Sequence, residues 1–212
     1  MRVYATGMPR SGSRCFYSIV EDIVHQSDNL ELCNKTGHGR QHKEWTADMH
    51  DAVVVTVVRD LRDVVVSAYP YILNHHKQTT YDPRQSTAIH PLYDLVSDVT
   101  EYEAYSNLID EFLPDCYGFF LSYTNTGSYI FLYRHFFNDL YSSVRNLNHI
   151  LRASAPIDPI VNNHTLDSRK DLNPHHVNDG KVDKWKTALR PEQEQRVRLE
   201  YPKFYTKFPS LS

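Results

Sequence analysis

The chain has 212 residues, a net charge of -3 at pH 7 with neutral histidines, and 41% hydrophobic residues. This length suits one sizeable core, so we expect a single domain over residues 1–212. The slightly acidic balance argues against a general nucleic-acid or acidic-membrane surface, and we expect no nucleic-acid or membrane partner. No apolar run approaches the ~20 residues of a membrane span, and a strand predicted almost at Met1 leaves no room for a signal peptide. Three cysteines without metal-ligand spacing also fit a cytoplasmic location.

Residues 6–14 form a polar, glycine-containing stretch between two apolar segments. The segment before it reads as a strand, and the apolar residues after it recur at helical spacing. They are Phe16, Ile19, Val20, Ile23 and Val24. A strand-loop-helix of this kind aims backbone N–H groups and the positive end of the helix dipole at one point. The stretch therefore predicts a phosphate or sulfate site, with Arg10 as a fixed positive charge and the Ser11 and Ser13 hydroxyls as further donors.

The loop nearly fits the nucleotide-binding pattern G-x-x-x-x-G-K-[ST]. Gly7 and Gly12 have the required separation, but Ser13 stands at the lysine position and Arg14 at the position of the magnesium-binding hydroxyl. The metal-holding half of that pattern is missing, so we expect group transfer without a metal ion. The alternative to an anion site is an ordinary strand-to-helix turn whose arginine is solvated.

Further along the chain, strands and helices alternate. Residues 30–33 read as a short second strand, and residues 52–58, an unbroken run of Ala, Val and Thr, read as a buried strand at the sheet centre. A helix should follow and end near Pro70. The remaining predictions are a helix at 102–112, a strand at 129–133, a helix at 136–152, a polar connector at 156–174, and a helix from Pro191 that ends before Pro202. This pattern indicates an α/β fold, a three-layer sandwich around a mostly parallel sheet.

Three motifs together resemble the sulfotransferase family that uses 3′-phosphoadenosine 5′-phosphosulfate (PAPS). Pro-Arg-Ser-Gly-Ser at residues 9–13 is similar to the family's 5′-phosphosulfate loop, Pro-(Lys/Arg)-Ser-Gly-Thr. Arg-Asp-Leu-Arg-Asp-Val-Val-Val-Ser at residues 59–67 is similar to Arg-Asp-Pro-Arg-Asp-x-x-x-Ser, whose outer Arg and Ser hold the 3′-phosphate. Gly-Lys-Val-Asp-Lys-Trp at residues 180–185 is similar to the C-terminal segment that closes over the same phosphate.

The resemblance implies a sulfotransferase that moves a sulfuryl group from PAPS to a hydroxyl or amine of a small-molecule or glycan acceptor and releases 3′,5′-ADP. It implies Arg10 as a catalytic cation. It also implies a set of donor-binding residues, namely Pro9, Arg10, Ser11, Gly12, Ser13, Arg14, Arg59, Ser67, Gly180 and Lys181. Two of these residues have a simpler interpretation without a ligand. Ser67 could be an ordinary serine on a helix surface, and Arg59 could form a salt bridge to Asp60 or Asp63.

Two departures from the family pattern concern donor binding. Asn178 and Asp179 stand where the third motif has Arg-Lys, and this leaves Lys181, Lys184 and Arg169 as substitutes. Cys15 stands where cytosolic members often have a Trp that stacks on adenine, and Phe16 is a candidate for that stacking role.

A base is needed if the acceptor is an alcohol. The family often takes it from a Lys-Thr-His segment, and here His38 follows Lys-Thr-Gly and is the first candidate. His42 is the second, Glu31 and Glu44 stay open, and an ordinary loop histidine is the plain alternative. The His pairs at 75–76 and 175–176 do not indicate a metal site, because neighbouring side chains diverge.

Two other functions stay open. A nucleotide or small-molecule kinase of related fold would need Mg²⁺ and ATP. A non-catalytic protein that keeps the nucleotide site would bind without turnover. The oligomeric state is not encoded in any of these motifs.

Overall fold

The structure, a computed structural model, describes residues 1–33, 51–79, 90–124, 126–165, 167–168 and 181–211. The strands are β1 (Arg2–Gly7), β2 (Glu31–Leu32), β3 (Ala52–Val58) and β4 (Tyr129–Leu132). The helices are α1 (Ser13–His25), α2 (Leu61–Thr79), α3 (Glu101–Glu111), α4 (Leu113–Thr124), α5 (Tyr133–Asn138), α6 (Leu140–Ile150), α7 (Ile157–Asn163), α8 (Trp185–Ala188), α9 (Pro191–Glu200) and α10 (Pro202–Lys207). Within these ranges, no helix combines the length and apolar character needed to cross a bilayer.

The chain divides into two compact units. The sheet unit comprises Met1–Arg59 and Gly118–Gly180, and the helical unit comprises Asp60–Tyr117 and Lys181–Ser212. A compact unit need not fold alone, so a single domain over residues 1–212 stays a prediction.

The sheet unit is built on one parallel sheet, in the order β2-β1-β3-β4 among the described strands. β3 is an inner strand, as its continuous apolar run predicts. Its register places Val57 beside Gly7 of β1 and Phe131 of β4. The predicted α/β class, with a parallel central sheet and a strand-loop-helix at the N-terminus, is confirmed.

The core of the sheet unit lies between the sheet and α1. Alternate strand residues and one face of α1 are buried together, and they include Val3, Ala5, Val55, Val57, Phe16, Ile19, Val20 and Ile23. The Phe16 ring lies 5.6 Å from the Phe131 ring and 5.0 Å from the Phe136 ring, centroid to centroid. This packing fixes α1, and hence its N-terminus, against the carboxyl end of β1.

In the helical unit, α2 packs against α3, α8 and α9. Gln193 on α9 is 3% exposed. Its Nε2 donates to the Tyr102 carbonyl oxygen at 2.9 Å and to Ser106 Oγ at 2.8 Å, both on α3. These buried bonds join the C-terminal helices to the middle of the chain.

α2 does not end near Pro70, so that prediction was wrong. The helix continues to Thr79 with Pro70 inside it. The residues on either side of the proline are well packed, since Ile72 is 1% exposed and the Tyr69 ring lies 5.4 Å from the Tyr105 ring. Proline removes one backbone hydrogen bond, and this packing offsets the loss.

Three other segments also differ from prediction. The helix predicted at 136–152 is two helices, because Asp139 accepts a bond from the Ser142 amide and caps a new helix, α6. The connector predicted at 156–174 contains α7, whose Ile160 is fully buried. Residues 113–124, for which no element was predicted, form α4, and its Phe119, Phe120 and Tyr123 side chains are buried.

Candidate functional site

The predicted loop, the predicted Arg59 and one residue that was not predicted, Tyr133, follow the carboxyl ends of strands. β1 ends at Gly7 and runs into the loop, Arg59 follows β3, and Tyr133 follows β4. Carboxyl ends of parallel strands meet at one edge of a sheet, so these residues lie together. Ligands of open α/β sheets bind at this edge.

The loop between β1 and α1 is held by hydrogen bonds from within. The Met8 amide donates to the Val57 carbonyl oxygen at 2.9 Å, and the Ser11 amide donates to the Met8 carbonyl oxygen at 3.1 Å. The fully buried Ser11 hydroxyl lies 2.5 Å from the Met8 carbonyl oxygen and 3.0 Å from that of Val57. Ser11 therefore shapes the loop, and its direct contact with a ligand stays a prediction.

Two glycines let the loop approach its neighbours closely. A Cβ on Gly7 would lie 2.6 Å from the Ser13 Cβ and 2.8 Å from Val57 Cγ1. Gly12 caps α1 with a φ of 75°, and a Cβ there would lie 2.9 Å from a ring carbon of Tyr133. Only glycine fits at either position without a shift of its surroundings.

Arg10 and Arg59, two of the predicted residues, are brought together. Arg10 has a left-handed backbone with a φ of 62°. The Arg59 Nη1 lies 3.4 Å from the Arg10 carbonyl oxygen, and its guanidinium carbon lies 4.6 Å from the centre of the Tyr133 ring. Arg59 is only 7% exposed, so its charge is held in a partly desolvated position beside the loop.

The other loop residues lie around this centre. Pro9 is half-buried just before Arg10, Ser13 is the half-buried first residue of α1, and Arg14 is exposed on its first turn. Ser13 and Arg14 therefore stand at a helix N-terminus, where backbone N–H groups lack partners within the helix. Their contacts with a donor molecule stay predictions.

Tyr133 and Phe137 lie against the loop at Gly12 and were not predicted from the sequence. Their rings lie 4.7 Å apart on α5. Both contact the position where Gly12 would carry a side chain. The available signal was the position of Tyr133, which directly follows β4 and so belongs to the same sheet edge as the loop.

The inner residues of the second motif, Asp60 and Arg62, form a buried network in the helical unit. Arg62 is 2% exposed and Asp60 is 4% exposed. Arg62 Nη2 donates to Asp60 Oδ2 at 2.7 Å, and Arg62 Nη1 donates to Glu194 Oε1 at 2.9 Å. Burial lowers the pKa of Arg62, but the hydrogen bond and charge of Asp60 outweigh burial and leave the pKa above its ordinary value. Asp60 also accepts from the Tyr205 hydroxyl at 3.1 Å.

Asp63, Ser67 and Lys181 also belong to the helical unit. Asp63 is 2% exposed and accepts backbone N–H groups of the C-terminal segment. Ser67, 6% exposed, lies one turn further along α2, and Lys181 is exposed at the start of the C-terminal segment. The role that the resemblance gives Ser67 and Lys181, binding of the 3′-phosphate, stays a prediction.

Several predicted residues lie outside the described ones. They are His38, His42, Glu44, Arg169 and Gly180. Glu31, the remaining candidate base, is exposed on the short strand β2. The assignment of His38 as the base therefore stays a prediction.

Phe16 does not suit the role of an adenine-stacking residue. It is fully buried against Phe131 and Phe136, so its ring faces the core. Cys15 is half-buried and packs at the edge of the same core. In the part of the chain that the structure describes, no group of three or more His, Cys, Asp or Glu side chains is placed to hold a metal ion.

Comparison with known proteins supports the fold. No protein-family model matches the chain, and no curated protein matches its sequence. In fold, the chain is similar to the crystal structure of mouse sulfotransferase SULT7A1 complexed with PAP, with a TM-score of 0.65 and 12% sequence identity. The match covers 99% of this chain and 86% of that chain. At this identity the likeness is one of fold, and the fold is sulfotransferase-like.

Proposed function

We propose that this chain is a PAPS-dependent sulfotransferase acting on a hydroxyl or amine of a small-molecule or glycan acceptor. The observation that carries the proposal is the contact between Arg59 and the backbone of Arg10. It joins the residue predicted for the 3′-phosphate to the loop predicted for the 5′-phosphosulfate. A donor with anionic groups at both positions requires two such cationic residues close together.

The loop and its surroundings fit this donor. The close packing around Gly7 and Gly12 brings the loop backbone near the N-terminus of α1. The N–H groups of a helix N-terminus and its dipole attract an anion. Arg10 and Arg59 add positive charges that stay protonated at any physiological pH. A guanidinium fork also matches phosphate and sulfate oxygens in pairs.

When bound, PAPS supplies a sulfuryl group whose S–O bond to the 5′-phosphate breaks as the acceptor atom bonds to sulfur, and the bonding electrons leave with 3′,5′-ADP. Arg10 and the loop amides meet the charge that builds on the departing oxygen. Arg59 holds the donor through its other phosphate. His38, the proposed base, takes the proton of an alcohol acceptor. A phosphate leaving group needs little protonation, which suits an arginine in place of an acid.

Calorimetric titration without added metal tests the donor site directly. The ligands are 3′,5′-ADP, 5′-AMP and ATP. We expect 3′,5′-ADP to bind at least about tenfold more tightly than 5′-AMP, because a charge-assisted bond to the second phosphate contributes more than 1 kcal/mol. A parallel series with Mg²⁺ tests the alternative, and binding of ATP alone, only in that series, would favour the kinase.

Substitution of Arg59 identifies the second phosphate site. Arg59→Ala should lower the affinity for 3′,5′-ADP about tenfold to a hundredfold and leave the affinity for 5′-AMP nearly unchanged. Arg2→Ala is the matched control, because Arg2 is exposed at the opposite end of β1. Equal losses for both nucleotides in Arg59→Ala would contradict the assignment.

Turnover separates an enzyme from a binding protein. Incubation with ³⁵S-labelled PAPS and a panel of phenols, alcohols, amines and glycans should release labelled product with at least one acceptor. Preferential binding of 3′,5′-ADP without product from any acceptor class would favour the non-catalytic alternative.

A further inference from the structure

The C-terminal segment that carries Lys181 and Lys184 is anchored to the first turn of α2. The Asp183 amide donates to Asp63 Oδ2 at 3.0 Å, and the Trp185 amide donates to Asp63 Oδ1 at 3.4 Å. Each oxygen of one carboxylate therefore accepts an amide from this segment, across more than 100 residues of sequence.

The Asp63 carboxylate is buried, so it depends on the two backbone amides as hydrogen-bond donors. Asp63 is 2% exposed, and a buried carboxylate is costly unless its oxygens accept hydrogen bonds. The segment also turns at Asp183, whose φ of 64° is left-handed and unfavourable for a residue with a side chain. The Asp63 carboxylate bonds the amides on and just after this turn and so stabilises it.

Trp185 gives the segment a second fixed point. Its ring lies 3.7 Å from the guanidinium carbon of Arg62, which is itself bonded to Asp60 and Glu194. Asp63 thus holds the backbone at residues 183 and 185, and Arg62 holds the side chain of Trp185. Both contacts are at the start of α2.

The anchor lies beside a residue predicted for phosphate binding. Asp63 and Ser67 are four residues apart on α2, so they occupy the same face one turn apart. Ser67 therefore lies on the face of α2 that holds the segment, one turn from Asp63. Lys181 and Lys184 flank Asp183 in that segment and supply the positive charge that Asn178 and Asp179 do not.

We propose that Asp63 is a positioning residue that fixes the C-terminal segment on α2, so that Lys181 and Lys184 stand beside Ser67 to bind the 3′-phosphate of the donor. The proposal rests on the proposed function. In this proposal, Lys181 and Lys184 replace the Arg-Lys pair that is usual in the family. The hydrogen bonds to Asp63 are the reason why they are placed there.

The test uses Asp63→Asn and two readouts. Asparagine keeps the size of the side chain but presents an amide N–H₂ to one of the two backbone donors. The affinity for 3′,5′-ADP should fall about tenfold while that for 5′-AMP changes less than about twofold. Asp94→Asn, an equal charge change at an exposed site of the same unit, should alter neither.

Tryptophan emission reports the anchor independently of nucleotide. The chain has two tryptophans, so Trp45→Phe leaves Trp185 as the single reporter. In that background, Asp63→Asn should shift the Trp185 emission to longer wavelength, because release from Arg62 exposes the indole to water. An unchanged spectrum would overturn the anchor.

A double-variant comparison separates positioning from general destabilisation. If Asp63 acts through the lysines, Asp63→Asn should lower 3′,5′-ADP affinity little further when Lys181→Met and Lys184→Met are already present. Independent, additive losses would overturn the proposal. Hydrogen exchange of the unaltered chain is a second test should Asp63→Asn fail to fold, since the Asp183 and Trp185 amides must be protected. Exchange of both at open-chain rates would overturn the anchor.

The two proposals fail in different ways. A wild-type chain that does not prefer 3′,5′-ADP over 5′-AMP overturns the proposed function and the phosphate role of the lysines together. A clear preference that survives Asp63→Asn overturns the role of Asp63 alone.

Discussion

Arg10 combines an unfavourable backbone with the charge proposed for chemistry. A left-handed φ of 62° costs roughly 1 kcal/mol for a residue with a Cβ, and glycine would adopt it freely. In this conformation the Arg10 carbonyl oxygen lies 3.4 Å from Arg59 Nη1. An arginine kept where glycine would be more stable is consistent with a functional side chain.

Arg10→Gly tests this residue without disturbing the backbone. We expect kcat to fall about 100-fold or more, because a preorganised charge at the reacting centre is lost. Thermal stability should stay equal or rise slightly, because the strain is relieved. A variant with unchanged kcat would show that Arg10 has no role in the transition state.

Tyr133 should hold the guanidinium of Arg59 through its aromatic face. Tyr133→Leu should lower the affinity for 3′,5′-ADP a few-fold. Tyr133→Phe keeps the ring and should bind 3′,5′-ADP nearly as tightly as the wild type. Calorimetric titration with 3′,5′-ADP and 5′-AMP measures both. Similar losses in the two variants would mean that the tyrosine hydroxyl matters more than the ring face.

At the scale of elements, α3 begins with a complete capping box. The Thr100 hydroxyl accepts from the Glu103 amide, and Glu103 Oε2 accepts from the Thr100 amide at 2.9 Å. Side-chain and backbone hydrogen bonds from Thr100 lower the pKa of Glu103 below its ordinary value. Such a box fixes where the helix starts and hence the register of its buried face.

This lowered pKa predicts a pH dependence of stability. A carboxylate whose pKa is lower in the folded state stabilises the fold above its unfolded pKa of about 4.3, and the contribution is lost as pH falls through the folded pKa. Glu103→Gln keeps a capping side chain without the charge. The difference in melting temperature between wild type and variant should therefore be largest near pH 7 and shrink below pH 4. A difference that grows toward low pH would contradict the assignment.

At the scale of the whole molecule, distant parts of the sequence meet at Arg62. Its guanidinium contacts Asp60, Glu194 and the carbonyl oxygen of Leu211, and it lies over the Trp185 ring. The guanidinium carbon also lies 5.1 Å from the centre of the Tyr205 ring. Of these five partners, all but Asp60 belong to the last 30 residues of the chain. Loss of this guanidinium would leave the buried Asp60 carboxylate without its counter-charge.

Arg62→Met should therefore lower the free energy of unfolding by about 3 to 5 kcal/mol, the usual cost of breaking a buried ion pair from one side. The Arg62→Met, Asp60→Asn double variant should lose less, because no uncompensated charge remains. Urea denaturation at pH 7 measures both. A double variant less stable than the single one would show that Asp60 stabilises the fold mainly through Tyr205.

The sequence alone determined the strand-loop-helix at the N-terminus, the inner position of β3 and the α/β class, because these depend on local periodicity and on glycines at fixed spacing. It also indicated Arg10 and Arg59 through motif resemblance. Helices α4 and α7 could also have been predicted from local periodicity. Apolar residues recur at helical spacing in both, at Phe119, Phe120 and Tyr123 in α4 and at Ile157, Ile160 and Val161 in α7.

Only the tertiary structure decided the features that depend on partners far away in sequence. These are the inward-facing Ser11 hydroxyl, the burial of Phe16, the passage of α2 through Pro70, and the anchoring of Asp183 and Trp185 by Asp63. The physical reason is common to all of them. Burial and long-range hydrogen bonds outweigh local propensity, and which groups meet is set by the fold as a whole.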